Sequence, residues 1–502
     1  MLNDIKKIIQ TDRKLQLLLL GSLIVQLIVC INQPGFYHPD QHFQIIEFSS
    51  YQLHKASGAS HVWEINDFVR STMQIYIFSA FRIACDFIGL HDPYQQLTFL
   101  RVLLGLLSFF LFNLIAIYYF KNEKRNILYF VLLILNLSWI LPYTRTLYSS
   151  ELLSSIFFFG ALFWYDLKKE RSNNFFTLFL IGFLFCLSFY FRFQMGFALV
   201  GFGVWMIFFE KKYSKLFPLA IGFIIAFIIN TYLDEHFYHQ LVFTPYHYFH
   251  VNISEGKAAS FGTSSFLNYI GLLVAVVIAP PFSIILIYYS LKASLKKYKE
   301  SIFITVIFFI VGHCLIGHKE ERFLFPIFNV LPIIIGWGLP GFINYLNNCK
   351  KWIAYSFKTI MVISICLNII LLGFFMFVPY SQTVAFSSQF KKEFNHQAAT
   401  IYCLSRAPFE TESGLPLTFY RNSFPELELK KVMNNDSVRN ITGNNIYIAT
   451  TFNQTKKNLL MFDSLGYKPV LYSSKTLWNL NEYLLSKRIN TINDIWVLYK
   501  KD

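Results

Sequence analysis

Charged residues are scarce in this sequence. Asp, Glu, Lys and Arg make up 15% of its 502 residues, whereas an ordinary soluble domain carries about 25%. Hydrophobic residues make up 55% and aromatic residues 19%. Such a chain cannot cover its surface with polar groups, which excludes a soluble globular protein, a disordered chain and a fibrous one. The composition therefore predicts a polytopic membrane protein.

Two kinds of motif are also missing. The seven cysteines are scattered, mostly within apolar runs, and form no Cys-X-X-Cys or Cys/His set. This spacing argues against a disulfide framework and says nothing about metals. The sequence has no glycine-rich motif that would cradle a phosphate, so no nucleotide-binding Rossmann domain is predicted.

Basic residues outnumber acidic ones by 44 to 29, which gives a formal charge of +15. In a soluble protein this excess would suggest nucleic acid as a partner. Here the basic residues fall in short clusters between apolar runs, which is typical of cytoplasmic loops. We therefore expect a lipid bilayer as the environment and no nucleic-acid partner. The clusters are Lys121/Lys124/Arg125, Lys168/Lys169/Arg171, Lys211/Lys212/Lys215, Lys292/Lys296/Lys297/Lys299 and Lys350/Lys351.

Apolar runs of spanning length predict about eleven transmembrane helices, with the N-terminus on the cytoplasmic side. One further run, Ser71–Leu90, contains Arg82 and Asp86, which are costly at mid-bilayer. We expect it to form an interfacial or re-entrant helix on the outer side. The predicted spans are Leu15–Ile31, Thr98–Phe120, Ile127–Pro142, Leu147–Tyr165, Phe175–Phe191, Met195–Phe209, Leu216–Leu233, Ser265–Ser290, Ile302–Ile316, Phe323–Tyr345 and Ile353–Val378.

With the basic clusters inside, the remaining polar segments lie outside. They are a first outer loop (33–96), Tyr143–Thr146, a long outer loop (234–264), a short one (317–322) and the C-terminal tail. We predict an all-α polytopic membrane domain over residues 1–378 and a small extramembrane α/β domain over residues 379–502. The tail's strand-like pieces are Asn445–Thr451, Pro469–Ser473 and Ile495–Tyr499.

The first outer loop concentrates acidic, aromatic and histidine residues. Pro39 restrains the backbone, so Asp40 begins a new segment. Asp40, Gln44 and Glu47 recur at helical spacing, which predicts one polar face on a helix along the membrane. One interpretation is that this face merely solvates the helix, with Asp40 as its cap. The nearby Trp63-Glu64 pair favours a functional site instead.

A second array, His318-Lys319-Glu320-Glu321-Arg322, joins two predicted spans on the same side. It is either a solvated turn or a phosphate site in which Glu320 and Glu321 hold the cations in position. Arg145 and Arg192 are further cations near the outer ends of spans. Each is either a snorkelling anchor or part of the same site.

Chemistry-bearing residues thus gather on one side of the membrane. A transporter or flippase is expected to place its ionisable residues near mid-span, at a repeat interface. A purely structural subunit needs no such arrays. The pattern favours an enzyme that works on the outer leaflet and leaves a lipid-linked glycan transporter as an alternative.

These motifs carry a family resemblance. His38-Pro39-Asp40-Gln41, followed by Trp63-Glu64 and Arg70-Ser71, resembles the first lumenal loop of glycosyltransferase family 22, the lipid-phosphate-mannose-dependent α-mannosyltransferases of GPI-anchor and lipid-linked oligosaccharide assembly. His318–Phe323 with Pro326 is similar to the family's other signature, and Thr144-Arg145-Thr146 ahead of Glu151 resembles a weaker one. The likeness runs in order from about residue 33 to residue 345.

The resemblance implies a GT-C fold with Asp40 as the catalytic base of an inverting transfer. Glu64 would orient the acceptor or the base, with His38, Gln41 and Trp63 in support. The donor phosphate would be held by His318, Lys319 and Arg322, with Arg145 and Arg192 as helpers. The family usually has Glu at the position of Gln41, so the resemblance does not imply a metal-binding role for this residue. No cofactor is assigned, and a role for a divalent cation is left open.

The implied partners are a polyprenyl or dolichyl phosphate sugar and a glycan or glycolipid acceptor. A GT-C transferase for another lipid-phosphate sugar remains an alternative, since sugar identity depends on pocket shape. The wealth of Lys, Asn, Ile and Phe fits AT-rich coding and favours a bacterial inner membrane. In a eukaryotic host the compartment would be the endoplasmic reticulum membrane.

Overall fold

A computed structural model describes residues 2–168, 174–395, 397–432, 438, 439, 441 and 446–501. Lys169 and Arg171 of one basic cluster, and Asn445 of one predicted strand, lie outside the described residues. The chain is built mainly from helices. The longer ones are Leu2–Thr11, Arg13–Asn32, Met73–Phe87, Pro93–Phe120, Arg125–Leu137, Ser150–Lys168, Phe175–Phe191, Gly196–Trp205, Leu216–Tyr238, Leu267–Val277, Phe282–Ser294, Ser301–Leu315, Leu339–Asn348, Lys351–Phe377, Phe452–Ser464 and Lys475–Ser486.

Short helical turns connect these helices. They are Pro39–Gln41, His42–Glu47, Phe48–Gln52, Ala59–His61, Trp63–Asn66, Leu141–Thr144, Phe193–Met195, Met206–Glu210, Tyr213–Lys215, Thr244–Phe249, His250–Ser254, Lys257–Ser260, Glu321–Leu324, Phe325–Phe328, Leu331–Gly336, Gln382–Ser388, Phe390–Phe394 and Thr418–Arg421.

The helices confirm a multi-pass membrane protein. Within the described residues, five helices are long and apolar enough to cross a bilayer, or up to seven if each of two bent helix pairs is one span. Three shorter apolar helices, Arg125–Leu137, Phe175–Phe191 and Ser301–Leu315, match predicted spans. The figure of about eleven crossings stays a prediction.

Two predicted single spans are broken. The run Ser265–Ser290 forms two helices bent by 105°, and the break contains Pro280 and Pro281. The run Phe323–Tyr345 is bent by 62° at a break just before Pro332. Proline lacks the N–H that continues a helix, which explains why an uninterrupted apolar run does not give one straight helix.

By packing, the chain divides into two compact units. Unit 1 comprises residues 1–30, 66–74 and 101–376, and unit 2 comprises residues 31–65, 75–100 and 377–502. Unit 2 therefore contains most of the first outer loop as well as the tail. The domain boundary at residue 378 stays a prediction, and the units' boundaries differ from it.

The tail in unit 2 carries a five-stranded mixed sheet. Its strands are β1 (Ala399–Leu404), β2 (Leu427–Val432), β3 (Ile446–Thr451), β4 (Tyr467–Tyr472) and β5 (Trp496–Lys501), in the order β2-β1-β3-β5-β4. β1 pairs in parallel with β2 and β3, while β5 is antiparallel to β3 and β4. The predicted α/β domain and its three predicted strand pieces are thus confirmed.

The sheet core explains why these segments become strands and helices. Side chains of β3 and β5, such as Ile448 and Val497, are fully buried and pack with Phe462 and Trp478 from the two neighbouring helices. Strand β2 places Lys430 and Lys431 between Leu427 and Val432, which are buried at its ends. The alternation is weak there, which is why the sequence did not reveal β2.

The helix Met73–Phe87 corresponds to the predicted interfacial segment. Its Arg82 is buried, donates to the Ser50 hydroxyl at 2.9 Å, and lies 4.8 Å over the Phe419 ring. These contacts keep the guanidinium inside unit 2 and satisfy it with protein groups. They show a helix that packs on protein within unit 2, and its location on the outer side stays a prediction.

Candidate functional site

The first outer loop presents Asp40 at the start of a helix. Pro39 is its first residue, and the His38 ring accepts a hydrogen bond from the Asp40 backbone N–H at 3.3 Å. The His38 Nδ1 also lies 3.4 Å from Asp40 Oδ1. The backbone therefore starts a helix where Pro39 predicted a new segment, and His38 flanks the carboxylate.

The helix continues through a π-helical segment, His42–Glu47, into Phe48–Gln52. π-Helical insertions often occur at functional sites because they re-aim side chains. Gln44 and Glu47 are buried. Their burial rules out the interpretation in which these polar residues merely solvate the helix.

Three acids of this loop, Asp40, Glu47 and Glu64, differ sharply in exposure. The Asp40 side chain is 31% exposed, whereas Glu47 is 0% and Glu64 is 4% exposed. Glu64 accepts a hydrogen bond from the Gln44 amide at 2.9 Å. Asp40 is therefore the acid of the three that a hydroxyl from outside can approach, while Glu64 is held within the loop.

Glu47 is the centre of a buried hydrogen-bond group. Its carboxylate contacts His42 Nε2 at 2.9 Å and accepts backbone N–H bonds from Gly58 at 2.8 Å and Phe419 at 2.9 Å. Burial alone would raise the pKa of Glu47. The hydrogen bond and charge of His42 and the two N–H donors outweigh it, so this pKa lies below its ordinary value.

The predicted supporting residues Gln41 and Trp63 differ in their burial and contacts. Gln41 is buried and accepts from the Tyr37 backbone N–H at 3.0 Å, so it closes the turn that contains Asp40. Trp63 is half-buried and opens the short helix Trp63–Asn66 beside Glu64. Among the described residues, no three His, Cys, Asp or Glu side chains come together in a metal-holding group.

In unit 1, the His318–Arg322 array is organised by Glu320. One carboxylate oxygen contacts His318 Nε2 at 2.9 Å, and the other accepts from Arg322 Nε. Arg322 is buried and Glu321 is exposed. Only part of the array is therefore a solvated turn.

Lys319 has a different role from its neighbours. Its ammonium donates to the carbonyls of Cys314 and Ile316 and lies 5.6 Å over the Tyr269 ring. These carbonyls are at the end of the helix Ser301–Leu315, where a cation is favoured by the helix dipole. Lys319 thus fastens the array to the end of that helix.

Arg145 and Arg192 are buried, at 0% and 7% exposure, so neither is a snorkelling anchor. The three guanidinium nitrogens of Arg145 donate to neutral oxygens, on Asn329, Asn136 and Leu135. Arg192 lies at the break between the helices Phe175–Phe191 and Gly196–Trp205. This is where the sequence predicted the outer turn between two short spans.

Arg192 forms an ion pair with Glu151, with a distance of 2.7 Å between Nη1 and Oε1. It also lies 5.0 Å over the Phe323 ring. The pair therefore joins two of the motifs that the sequence singled out. Glu151 was noted only as part of a weak motif, and its partner 41 residues later became visible in the structure.

The sequence did not identify Asp234 as important. This carboxylate is fully buried at the end of the helix Leu216–Tyr238 and accepts from the Thr72 backbone N–H at 2.8 Å. A single acidic residue at the end of an otherwise apolar helix was the available signal. The predicted residues Asp40, Glu64, His38, Gln41 and Trp63 belong to unit 2; the others, Arg145, Arg192, His318, Lys319, Glu320, Glu321 and Arg322, belong to unit 1.

A search of solved structures shows which fold these elements form. The chain is similar to ArnT from Cupriavidus metallidurans bound to undecaprenyl phosphate, with a TM-score of 0.51 and 11% sequence identity over 96% of this chain and 97% of that one. This likeness confirms the GT-C type of fold.

Comparison with curated proteins and with a family model shows which protein family the chain belongs to. GPI mannosyltransferase 3 of Candida albicans is 24% identical over 315 residues, which are 62% of this chain and 60% of that protein. GPI mannosyltransferase 3 of Debaryomyces hansenii is 26% identical over 170 residues, 33% of this chain and 29% of that protein. The chain thus spans less than two thirds of the length of these relatives. The model of the Alg9-like mannosyltransferase family matches residues 17–406, and the chain belongs to that family.

Proposed function

We propose that this protein is an inverting mannosyltransferase that acts at the outer or lumenal face of a membrane. Its donor is mannose on a polyprenyl or dolichyl phosphate, and its acceptor is a hydroxyl of a glycan or glycolipid. Membership of the Alg9-like family supports the reaction class, as do the relatives named GPI mannosyltransferase 3. The undecaprenyl phosphate in the ArnT structure is a polyprenyl phosphate, the kind of lipid that would carry mannose in the proposed donor.

The observation that carries the proposal is the accessible Asp40 among buried acids. A single displacement needs one general base at the acceptor hydroxyl. Asp40 is 31% exposed and flanked by His38, whereas Glu47 and Glu64 are enclosed. Of these three acids, Asp40 is therefore the one placed to take a proton from an incoming hydroxyl.

The reaction balances with Asp40 as the only base. The acceptor oxygen bonds to the anomeric carbon of mannose while its proton passes to the Asp40 carboxylate. The bond between that carbon and the phosphate oxygen breaks, and its electron pair leaves with the polyprenyl phosphate. Attack opposite the leaving group converts a β-linked donor into an α-mannoside.

The remaining motif residues would stabilise the leaving phosphate and orient the reacting groups. Positive groups stabilise the charge that develops on the leaving phosphate. We assign this role to His318, Lys319 and Arg322, with Arg145 and Arg192 as helpers. Glu320 orients two of these cations through its two oxygens. Glu64 orients the acceptor or Asp40 from its buried position beside Gln44.

The compartment depends on the host. The composition favours a bacterial inner membrane, whereas the fungal relatives support the endoplasmic reticulum membrane in a eukaryotic host. In both cases Asp40 faces the side opposite the cytoplasm.

The test is a transfer assay with purified full-length protein in lipid nanodiscs. Dolichyl phosphate mannose and dolichyl phosphate glucose, each labelled in the sugar, are offered with a membrane glycolipid extract. We expect label to enter glycolipid from the mannose donor at least tenfold faster than from the glucose donor. Transfer from glucose alone would reassign the donor sugar. In sealed liposomes, labelled lipid that crosses the membrane without sugar transfer would instead indicate a transporter.

A further inference from the structure

A groove lies in unit 1 between the helix Arg13–Asn32 and the part of the helix Pro93–Phe120 that belongs to this unit, and we call it the N-terminal groove. It has a volume of about 320 Å³, which falls in the range of about 300–1,000 Å³ for small-molecule sites. The short helix that precedes both, Leu2–Thr11, contributes one residue to it. The apolar lining is formed mainly by Ile9, Leu19, Leu20, Leu23, Phe109 and Phe110.

The polar residues of the lining, Gln16 and Asn113, are engaged with the protein. Gln16 donates to the carbonyls of Ile9 at 2.9 Å and Gln10 at 3.1 Å. Asn113 exchanges amide hydrogen bonds with Asn136, at 3.0 and 2.7 Å. The surface that the groove offers to a guest is therefore hydrocarbon.

The groove opens on a face that meets lipid. Leu20 and Phe110, which line it, are 56% and 54% exposed. Leu17, Ile24 and Leu107, on the same two helices, are exposed as well. Contiguous exposed apolar side chains mark a membrane contact, and these helices are long and apolar enough to cross a bilayer. The molecule at the mouth of the groove is thus a bilayer lipid.

The length of the groove matches one leaflet. The helix rises about 10 Å from Gln16 to Leu23, at 1.5 Å per residue, while half of a hydrocarbon core measures about 15 Å. The basic clusters predict this end of the helix on the cytoplasmic side. The groove therefore fits part of one acyl chain of a cytoplasmic-leaflet lipid, whereas the proposed donor reacts on the opposite side.

The helix Leu2–Thr11 is amphipathic. Ile5 is buried and Ile9 is half-buried, whereas Lys6 and Lys7 are exposed. A helix with an apolar face and a basic polar face lies along the membrane surface. Because Ile9 lines the groove, the two lysines stand within one helical turn of it.

Asp12 fixes the bend between this helix and the next one. The Tyr129 hydroxyl lies 2.8 and 2.7 Å from the two carboxylate oxygens of Asp12, and the Leu15 N–H donates to one of them at 3.0 Å. Arg125 Nε lies 3.8 Å from the same carboxylate. The basic helix is thereby held at the cytoplasmic end of the groove.

The charge at this end is positive. Residues 3–14 contain four basic and two acidic side chains, and Arg125 stands beside one of the acids, Asp12. Arg13 and Lys14 are exposed, as the two lysines of the first helix are. Clusters of basic residues next to a membrane span attract anionic lipid headgroups.

We propose that the N-terminal groove binds a glycerophospholipid with an anionic headgroup from the cytoplasmic leaflet. One acyl chain lies against Leu20 and Phe110, and the headgroup meets the basic residues of the segment 6–14. The inference does not rest on the proposed function, because the groove contains none of the residues assigned to sugar transfer.

Photocrosslinking of full-length protein in phosphatidylcholine nanodiscs tests the proposal. Trace phosphatidylglycerol or trace phosphatidylcholine carries a diazirine in the acyl chain, and mass spectrometry maps the labelled peptides. Residues 16–23 and 109–117 report the groove. Residues 217–225 are the matched surface, because they follow another basic cluster and expose Phe217 and Ile224 but do not line the groove. We expect the ratio of phosphatidylglycerol to phosphatidylcholine labelling to be about fivefold higher in the groove.

One pair of variants tests the headgroup. Lys6→Gln combined with Lys7→Gln removes two charges beside the groove. Lys350→Gln combined with Lys351→Gln removes two equally exposed charges of another basic cluster. We expect the first double variant to lower the labelling ratio in the groove about fivefold and the second to leave it unchanged.

Another pair tests the acyl chain. Leu20→Trp places an indole in the groove, whereas Leu17→Trp adds the same ring at an exposed position outside the lining. We expect only Leu20→Trp to reduce the labelling of residues 109–117 by both lipids. Should Leu20→Trp fail to fold, the lysine variants carry the test, because substitutions of exposed side chains change stability little.

Two results would overturn the proposal. Equal labelling ratios in the groove and in residues 217–225 would show that the groove selects no anionic lipid. Groove labelling weaker than that of residues 217–225 with both lipids would show that another protein segment covers it. Since no sugar is transferred, neither result bears on Asp40, and the two proposals fail independently.

Discussion

The carboxylate of Glu47 accepts a hydrogen bond from the backbone N–H of Phe419 at 2.9 Å, across 372 residues of sequence. The same carboxylate contacts His42, whose ring stacks on Tyr420 with centroids 5.3 Å apart. The tail is thereby fastened to the helical segment that begins at Pro39. Its position makes the tail a support for the first outer loop as well as a domain of its own.

Removing the Glu47 charge should loosen this connection. We expect Glu47→Ala to destabilise the contact by about 3 kcal/mol, because it leaves His42 and two backbone N–H groups buried without their acceptor. Hydrogen exchange of residues 418–421 should become faster. The control is Glu428→Gln, which removes a surface ion pair with Lys430 and should change nothing measurable. Equal exchange in both variants would show that Glu47 does not hold the tail.

The contact between Glu47 and the Phe419 amide should become less stable at acidic pH. Because folding lowers the pKa of Glu47, its ionised form stabilises the contact above the unfolded pKa of about 4.3. This stabilisation is lost as pH falls through the lower folded pKa. Protection of the Phe419 amide, corrected for intrinsic exchange, should therefore be flat from pH 7 to about 5 and fall below about 4. In Glu47→Gln the fall should be absent; an identical fall there would assign it to another group.

Gly58 allows the loop and the tail to approach closely. A Cβ at this position would lie 2.6 Å from the Pro416 carbonyl oxygen, a backbone atom that cannot turn aside. We expect Gly58→Ala to destabilise the protein by about 1–3 kcal/mol, measured as a lower midpoint of thermal unfolding. Gly373→Ala is the control, since nothing lies within 4 Å of its added Cβ. Equal midpoints would contradict the close approach.

Glu320 and Glu321 are adjacent but differ in their contacts. Glu320 holds both His318 and Arg322, whereas Glu321 is exposed. If the array stabilises the leaving phosphate, Glu320→Gln should lower the rate of transfer by about tenfold to a hundredfold. Glu321→Gln should have at least a tenfold smaller effect. Steady-state transfer from labelled donor distinguishes them, and similar losses would contradict a special role for Glu320.

Hydropathy and charge in the sequence predicted the helical membrane fold, because apolar length and basic loops follow directly from the physics of the bilayer. They also located the helix break at Arg192, where two polar residues interrupt an apolar run. The bends near Pro280 and Pro332 were missed because each run stays predominantly apolar on both sides of the proline. Strand β2 was missed because its lysines obscure the alternation.

The sequence suggested candidate site residues, which stay a prediction, but it did not suggest the contacts between them. Motif resemblance pointed to Asp40 and Glu64, and the charge pattern pointed to Arg192. Neither could show that Glu47 meets Phe419 or that Asp234 meets Thr72, since each pair is formed by segments far apart in sequence. Only folding brings such partners together, and a local pattern carries no trace of them.

Single-turnover mannose transfer by Asp40→Asn tests the central claim most directly. The substitution keeps the size of the side chain and removes its ability to take a proton. Asp67→Asn, in the same outer loop, is the control for expression and folding. We predict a loss of about 100- to 10,000-fold for Asp40→Asn, with dolichyl phosphate binding retained and Asp67→Asn close to wild type. Transfer by Asp40→Asn within threefold of wild type at equal protein level would contradict Asp40 as the base.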